Sequence, residues 1–124
     1  MPRVLIVDDE ENQRRSLALG LTSDGFECIE ADSGEAALST LAQGRFDVAL
    51  VDLMMPGLSG LDLARRIRWS FPNVMVVLAS AYHLSSRQLS RADCGAVGFV
   101  PKPYHLPELC AFLRKRTAAP SLSP

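Results

Sequence analysis

Asp52 closes an apolar run, Val48-Ala49-Leu50-Val51, and Leu53-Met54-Met55-Pro56-Gly57 follows it at once. Asp8 and Asp9 leave a second such run, Arg3 to Val7, with Glu10 directly behind them. Ser80 follows a third run, Val74 to Ala79, and Lys102 stands between two prolines after Phe99-Val100. Three carboxylates, one hydroxyl and one ammonium thus each lie at or just beyond the end of an apolar stretch. Crowded carboxylates repel one another unless a cation sits among them. Oxygen-only ligands, few in number, suit Mg²⁺, with Mn²⁺ as the alternative; no His or Cys stands beside them, which argues against zinc. With Mg²⁺ bound, Asp52 can act as a carboxylate nucleophile toward a phosphoryl group. The equatorial oxygens of that group need partners: Mg²⁺ for one, Lys102 for another, and the Ser80 hydroxyl with nearby backbone N–H groups for a third.

Elements must bring these residues together. A short apolar run without alternation reads as a strand buried on both faces. Arg3–Val7, Val48–Val51, Val74–Ala79 and Phe99–Val100 fit that description, whereas Phe26–Ala31 alternates and reads as a half-exposed edge. Helical spacing is expected over Asn12–Asp24, from a cap at Asp32 or Ser33 to about Gln43, over Leu61–Ser70, over Leu84–Cys94 and over Tyr104–Arg116. Glu10 and Glu11 suit the acidic start of a helix; Asp8 and Asp9, straight off a buried strand, suit it less well. Leu17 and Leu21 face inward and Arg14 and Arg15 face water. Leu61, Ala64 and Ile67 form one buried stripe, and Leu106, Leu109 and Leu113 another. Strict alternation of strand and helix implies a parallel sheet covered on both faces. With the second strand at an edge, order 2-1-3-4-5 puts strands one and three side by side, and Asp8, Asp9 and Asp52 meet where the winding reverses.

Composition bounds the rest. The chain has 124 residues, 48 % of them hydrophobic, with a formal net charge of -1. That is one domain with a sizeable core and no global bias toward nucleic acid or membrane. No apolar run approaches the roughly 20 residues of a membrane span, and no signal-peptide shape opens the chain; the expectation is a cytoplasmic protein. Residues 1–116 read as the domain and 117–124 as a tail or the start of a linker. Cys28, Cys94 and Cys110 are scattered and read as small apolar side chains in a reducing compartment. His83 and His105 read as surface residues, and Arg65, Arg66 and Arg68 as a solvated helix face.

The chain resembles the response regulator receiver domains of two-component signalling. Asp8-Asp9-Glu10, Asp52 with Met54-Met55-Pro56-Gly57, Ser80-Ala81 and Lys102-Pro103 carry the resemblance, which spans Arg3 to about Arg116. It implies a flavodoxin-like, doubly wound (βα)5 α/β fold. The family's chemotaxis member is itself a standard example of the 2-1-3-4-5 order, so order and resemblance are one expectation, not two. The resemblance implies that Asp52 accepts phosphate from a histidine kinase or a phosphotransfer protein. Asp9, Asp52 and the Met54 carbonyl would hold Mg²⁺ directly, and Asp8 mainly through water. Lys102 would pair with the phosphoryl group, and its bond to Pro103 would be cis. Ser80 would move toward the phosphate and Phe99 would turn into the space vacated; a plain core aromatic is the other reading of Phe99. Met54 and Tyr82 would flank the path of attacking water, and neither carries a carboxylate or amide to orient it, so self-dephosphorylation should be slow.

The face made by the fourth helix, fifth strand and fifth helix would then engage an output domain or protein, or a second copy of the chain. Winged-helix members often carry acids just before the fifth strand for such a dimer; Val97 and Gly98 stand there instead, which puts that mode in doubt. Direct nucleic-acid binding is not expected of this domain, and the only catalysis expected is its own phosphorylation and dephosphorylation. Two other readings differ in class. A Mg²⁺-dependent phosphatase with an aspartate nucleophile would favour a D-x-D at the first strand, and a receiver used only for docking would lack an acid or the lysine. A flavodoxin-like nucleotide binder would need a Gly-rich phosphate loop.

Overall fold

Five strands form one parallel sheet in a computed structural model that describes residues 1–81, 96 and 98–117. The strands are β1 (Arg3–Val7), β2 (Glu27–Ala31), β3 (Val48–Asp52), β4 (Met75–Ser80) and β5 (Gly98–Pro101). The described helices are α1 (Glu11–Ser23), α2 (Gly34–Leu41), α3 (Gly60–Ser70) and α4 (Leu106–Thr117). The sheet order is β2-β1-β3-β4-β5, with β1 beside β3 as expected. The helix expected over Leu84–Cys94 lies outside the described residues, as do Tyr82, His83 and Val97.

The apolar strands have no polar face because neither face meets water. Leu5, Val7, Ala49, Val51, Val76 and Leu78 pack on one side with Ala37, Leu41, Leu63, Ala64 and Ile67 of α2 and α3. Their neighbours Val4, Ile6, Val48, Leu50, Val77 and Ala79 pack on the other with Leu17, Leu21, Leu109 and Leu113 of α1 and α4. Side chains alternate across a strand, so each apolar run fills two cores at once. β2 mixes Glu27 and Glu30 with Cys28 and Ile29 because it is an edge.

Local chemistry sets the helix ends. Ser33 caps α2, its hydroxyl accepting from the Ala36 N–H at 3.1 Å, and Ser59 caps α3, accepting from Asp62 N–H at 3.2 Å. Several boundaries shift. α1 begins at Glu11, and α4 begins at Leu106 and runs through Thr117, whose hydroxyl donates to the Leu113 carbonyl at 2.8 Å. The buried stripe of α3 is Leu63, Ala64 and Ile67; Leu61 is only half-buried. Arg14 does not face water: its guanidinium bonds Glu30 at 2.9 Å and the Asp8 carbonyl at 3.0 Å. A long side chain seven positions past a strand end can reach back over the sheet rim, and that reach is what a simple two-faced helix pattern misses. Among the described residues no helix is long and apolar enough to cross a membrane.

Candidate functional site

The rim formed by the carboxyl ends of the strands collects the chemistry. β1 delivers Asp8, β3 delivers Asp52, β4 delivers Ser80, and the segment after β5 delivers Lys102. Register fixes their level: Asp52 lies opposite Ala79, Ser80 lies opposite Pro101, and the Lys102 amide donates to the Ser80 carbonyl at 2.9 Å. The Lys102–Pro103 peptide is cis, as expected. Pro56 and Gly57 turn the chain after β3, with Gly57 at a φ of 72, a conformation that glycine adopts without a Cβ penalty.

Asp8, Asp52 and Ser80 are buried, with exposures of 2 %, 8 % and 1 %. Asp9 is exposed at the mouth. One carboxylate oxygen from each of Asp8, Asp9 and Asp52 lies within 4.8 Å of the others. That donor set passes the test for a small hard cation: all oxygen, all anionic, open to water through Asp9, without a nitrogen or sulfur ligand. The Lys102 ammonium, on a side chain only 11 % exposed, lies 2.8 Å from Asp8 Oδ2 and 3.4 Å from Asp52 Oδ1. It thus supplies part of the positive charge that the acids need.

Burial pushes the Asp52 carboxyl above its ordinary pKa; Lys102 pulls the other way without cancelling it, and the Asp8 charge adds to the rise. Asp8 is held in place: the Glu10 amide donates to its Oδ1 at 2.9 Å, and its own amide donates to the Ala31 carbonyl at 3.1 Å. The Met54 amide points toward Asp52 Oδ1 at 3.5 Å while the Met54 side chain is 59 % exposed. Tyr104 lies beneath the lysine, 5.9 Å from ring centre to Nζ, and burial raises its phenol pKa, with the Asp8 and Asp52 charges contributing.

Phe99 is half-buried in β5 against the α2–α3 core, at the level of Leu78. Tyr82 lies outside the described residues. His105 is exposed beside Glu108 at 3.5 Å, in keeping with a surface role. Cys28 is half-buried and Cys110 buried, and burial pushes both thiols up, which disfavours the thiolate; Cys94 lies outside the described residues.

Gln13 escaped the sequence reading. Its Oε1 accepts from Lys102 Nζ at 2.8 Å across 89 positions of chain. The available signal was its place in the first turn of the helix that follows the acidic pair. A depression of about 550 Å³ opens beside it, lined by Asn12, Ser16, Leu17, Lys102, Tyr104 and Leu106.

Comparison with known proteins gives a consistent result. A family model described as the response regulator receiver domain matches residues 4–114. Response regulator MprA of Mycolicibacterium vanbaalenii is 35% identical over 112 residues, covering 90% of this chain and 48% of that protein. The transcriptional regulatory protein YkoG of Bacillus subtilis is 36% identical over 111 residues, covering 90% of this chain and 49% of its own length. The chain therefore spans about half the length of these curated relatives. Among solved structures, response regulator TrrA of Thermotoga maritima in complex with Mg²⁺-BeF aligns with a TM-score of 0.83 and 34% identity, covering 94% of this chain and 99% of that one. TrrA in complex with the histidine kinase ThkA aligns with a TM-score of 0.85 and 33% identity, covering 95% and 100%.

Proposed function

Because this chain belongs to the response regulator receiver family, we propose that its rim is a phosphoacceptor site in which Asp52 takes a phosphoryl group from a histidine kinase or phosphotransfer protein. The observation that carries this is the meeting of three carboxylates and one lysine on a single rim: Asp8, Asp9 and Asp52 within 4.8 Å, with Lys102 at 2.8 Å from Asp8 and 3.4 Å from Asp52. A docking-only receiver or an aspartate-nucleophile phosphatase has no such observation in its favour. The full set of acids and the lysine is present, and the acids after the first strand, Asp8-Asp9-Glu10, are contiguous and not spaced as D-x-D.

Asp8, Asp9, Asp52 and the Met54 carbonyl would hold Mg²⁺ or Mn²⁺. When bound, the ion supplies charge neutralisation to the phosphoryl oxygens. The chain's own residues do the rest. An Asp52 carboxylate oxygen forms a bond to phosphorus as the bond from phosphorus to the donor's imidazole nitrogen breaks, and the imidazole leaves. Lys102 donates to a phosphoryl oxygen, and Ser80 approaches another. Met54 and Tyr82 shield the phosphorus from water.

The readout follows from charge. A dianionic group on Asp52 draws Ser80 toward it, and Phe99 turns into the vacated volume, biasing a two-state face. β5 and α4 belong to that face. Phe99, Val100, His105, Glu108, Leu109 and Phe112 line a hollow of about 230 Å³ there, suited to an output domain or protein, or to a second copy of the chain. The setting is cytoplasmic, and this domain makes no direct contact with nucleic acid. Titration with beryllium fluoride in the presence of Mg²⁺, followed by NMR, tests the reading: saturable shifts at Ser80, Phe99 and Lys102, lost in Asp52→Asn, are expected. Shifts that persist in Asp52→Asn would reject it.

A further inference from the structure

An ammonium has three N–H donors and no acceptor, so the amide oxygen of Gln13, not its nitrogen, faces Lys102. Two of the three donors are committed to short bonds, 2.8 Å to Asp8 Oδ2 and 2.8 Å to Gln13 Oε1. Among the described residues, the third has Asp52 Oδ1, at 3.4 Å. Fixing two donors removes the ammonium's rotational freedom. The third is then aimed at the carboxylate that would carry the phosphoryl group, with room for an oxygen to take over a long contact.

We propose that Gln13 is a positioning residue for phosphoryl transfer, holding the Lys102 ammonium so that its remaining N–H points at the Asp52 carboxylate. The inference rests on the phosphoacceptor reading of Asp52 and adds a residue to it. Gln13 suits the task in two respects. It is neutral, so it orients the lysine without competing with phosphate as a further anion. It also adds no carboxylate to the cluster of Asp8, Asp9 and Asp52, so a cation that draws Asp8 away from the lysine leaves Gln13 as the neutral anchor. The lysine stem is flexible and loses considerable rotamer entropy when its head is fixed, which is the freedom that Gln13 removes in advance. Its own backbone is set by the first turn of α1.

Three measurements on the intact chain test this. In Gln13→Leu, the rate of adduct formation from acetyl phosphate at saturating Mg²⁺ should fall by about tenfold or more, the worth of one hydrogen bond to a charged group. The Mg²⁺ affinity should stay unchanged, since Gln13 is no ligand. In a Lys102→Met background, Gln13→Leu should have no further effect, because a residue that acts through the lysine has nothing left to act on. Independently of phosphorylation, the ¹H–¹⁵N signal of the Lys102 ammonium should be protected in the wild type and lost in Gln13→Leu. An equal loss of rate in both backgrounds, an unchanged rate, or an ammonium signal indifferent to Gln13 would overturn the proposal. A wild type that takes no phosphate at all would reject the phosphoacceptor reading instead, and the ammonium signal would still judge the Gln13–Lys102 bond.

Discussion

Gly60, the first residue of α3, rests directly on the backbone of Asp52: a Cβ at this position would fall 2.4 Å from the Asp52 carbonyl oxygen and 2.6 Å from the Leu53 Cα. The Gly60 amide also donates to the Leu53 carbonyl at 3.1 Å. The chain after β3 thus closes back on the strand that carries Asp52. Both atoms in the way are backbone, so no side chain can yield. Gly60→Ala should destabilise the domain by about 1–3 kcal/mol, the usual cost of forcing a methyl group into packed space. Urea denaturation checks this. Wild-type stability in Gly60→Ala would mean that the loop moves freely and does not fix Asp52.

Asp52 should make the metal-free domain pH-sensitive. Its folded-state pKa lies above the ordinary carboxylate range, chiefly through burial, so the folded protein takes up a proton there more readily than the unfolded chain. Stability is then greatest below the ordinary range and declines as pH rises through the raised value. In thermal melts, the difference between wild type and Asp52→Asn should widen in favour of the variant as pH rises through that window. Saturating Mg²⁺ should narrow it. A pH-independent difference contradicts the expectation.

Lys102 and a divalent cation answer the same need. Lys102→Ala removes a positive charge 2.8 Å from Asp8 and leaves two buried acids less neutralised. The metal-free variant should lose about 3–5 kcal/mol of stability, as when one partner of a buried pair is removed. Its Mg²⁺ affinity, measured by calorimetry, should rise by about threefold or more, because a nearby like charge is gone. Unchanged affinity would place the cation away from the lysine's field.

The phosphoryl group on Asp52 should be long-lived. The Met54 side chain is well exposed and bears no group that can orient a water, and the sequence puts Tyr82 two residues beyond Ser80. Met54→Ala and Tyr82→Ala should accelerate decay of the phosphorylated protein, followed by intact mass after donor removal. Decay at the wild-type rate in both variants would mean that neither side chain limits water.

The inner strands and the rim were legible in the sequence for one reason: a parallel sheet covered on both faces writes such a strand as an apolar run, and its residue of interest comes at or just beyond the end. Asp8, Asp52, Ser80 and Lys102 all obey that rule. Gln13 and Arg14 did not show themselves, because a polar residue on a helix looks the same whether it meets water or a partner 89 or 16 positions away. Gly60 was hidden for a related cause: a glycine before a helix reads as loop, and its contact is with the backbone of Asp52 and Leu53, eight and seven positions earlier. The start of α4 moved from Tyr104 to Leu106 because Tyr104 packs under the lysine and not in the helix.

The most direct measurement is incubation with acetyl phosphate, with and without Mg²⁺, followed by intact-mass detection, with Asp52→Ala as control. One phosphoryl adduct that requires Mg²⁺ and disappears in Asp52→Ala is the predicted result. No adduct, or an adduct of equal yield in Asp52→Ala, would contradict the assignment of Asp52 as the phosphoacceptor.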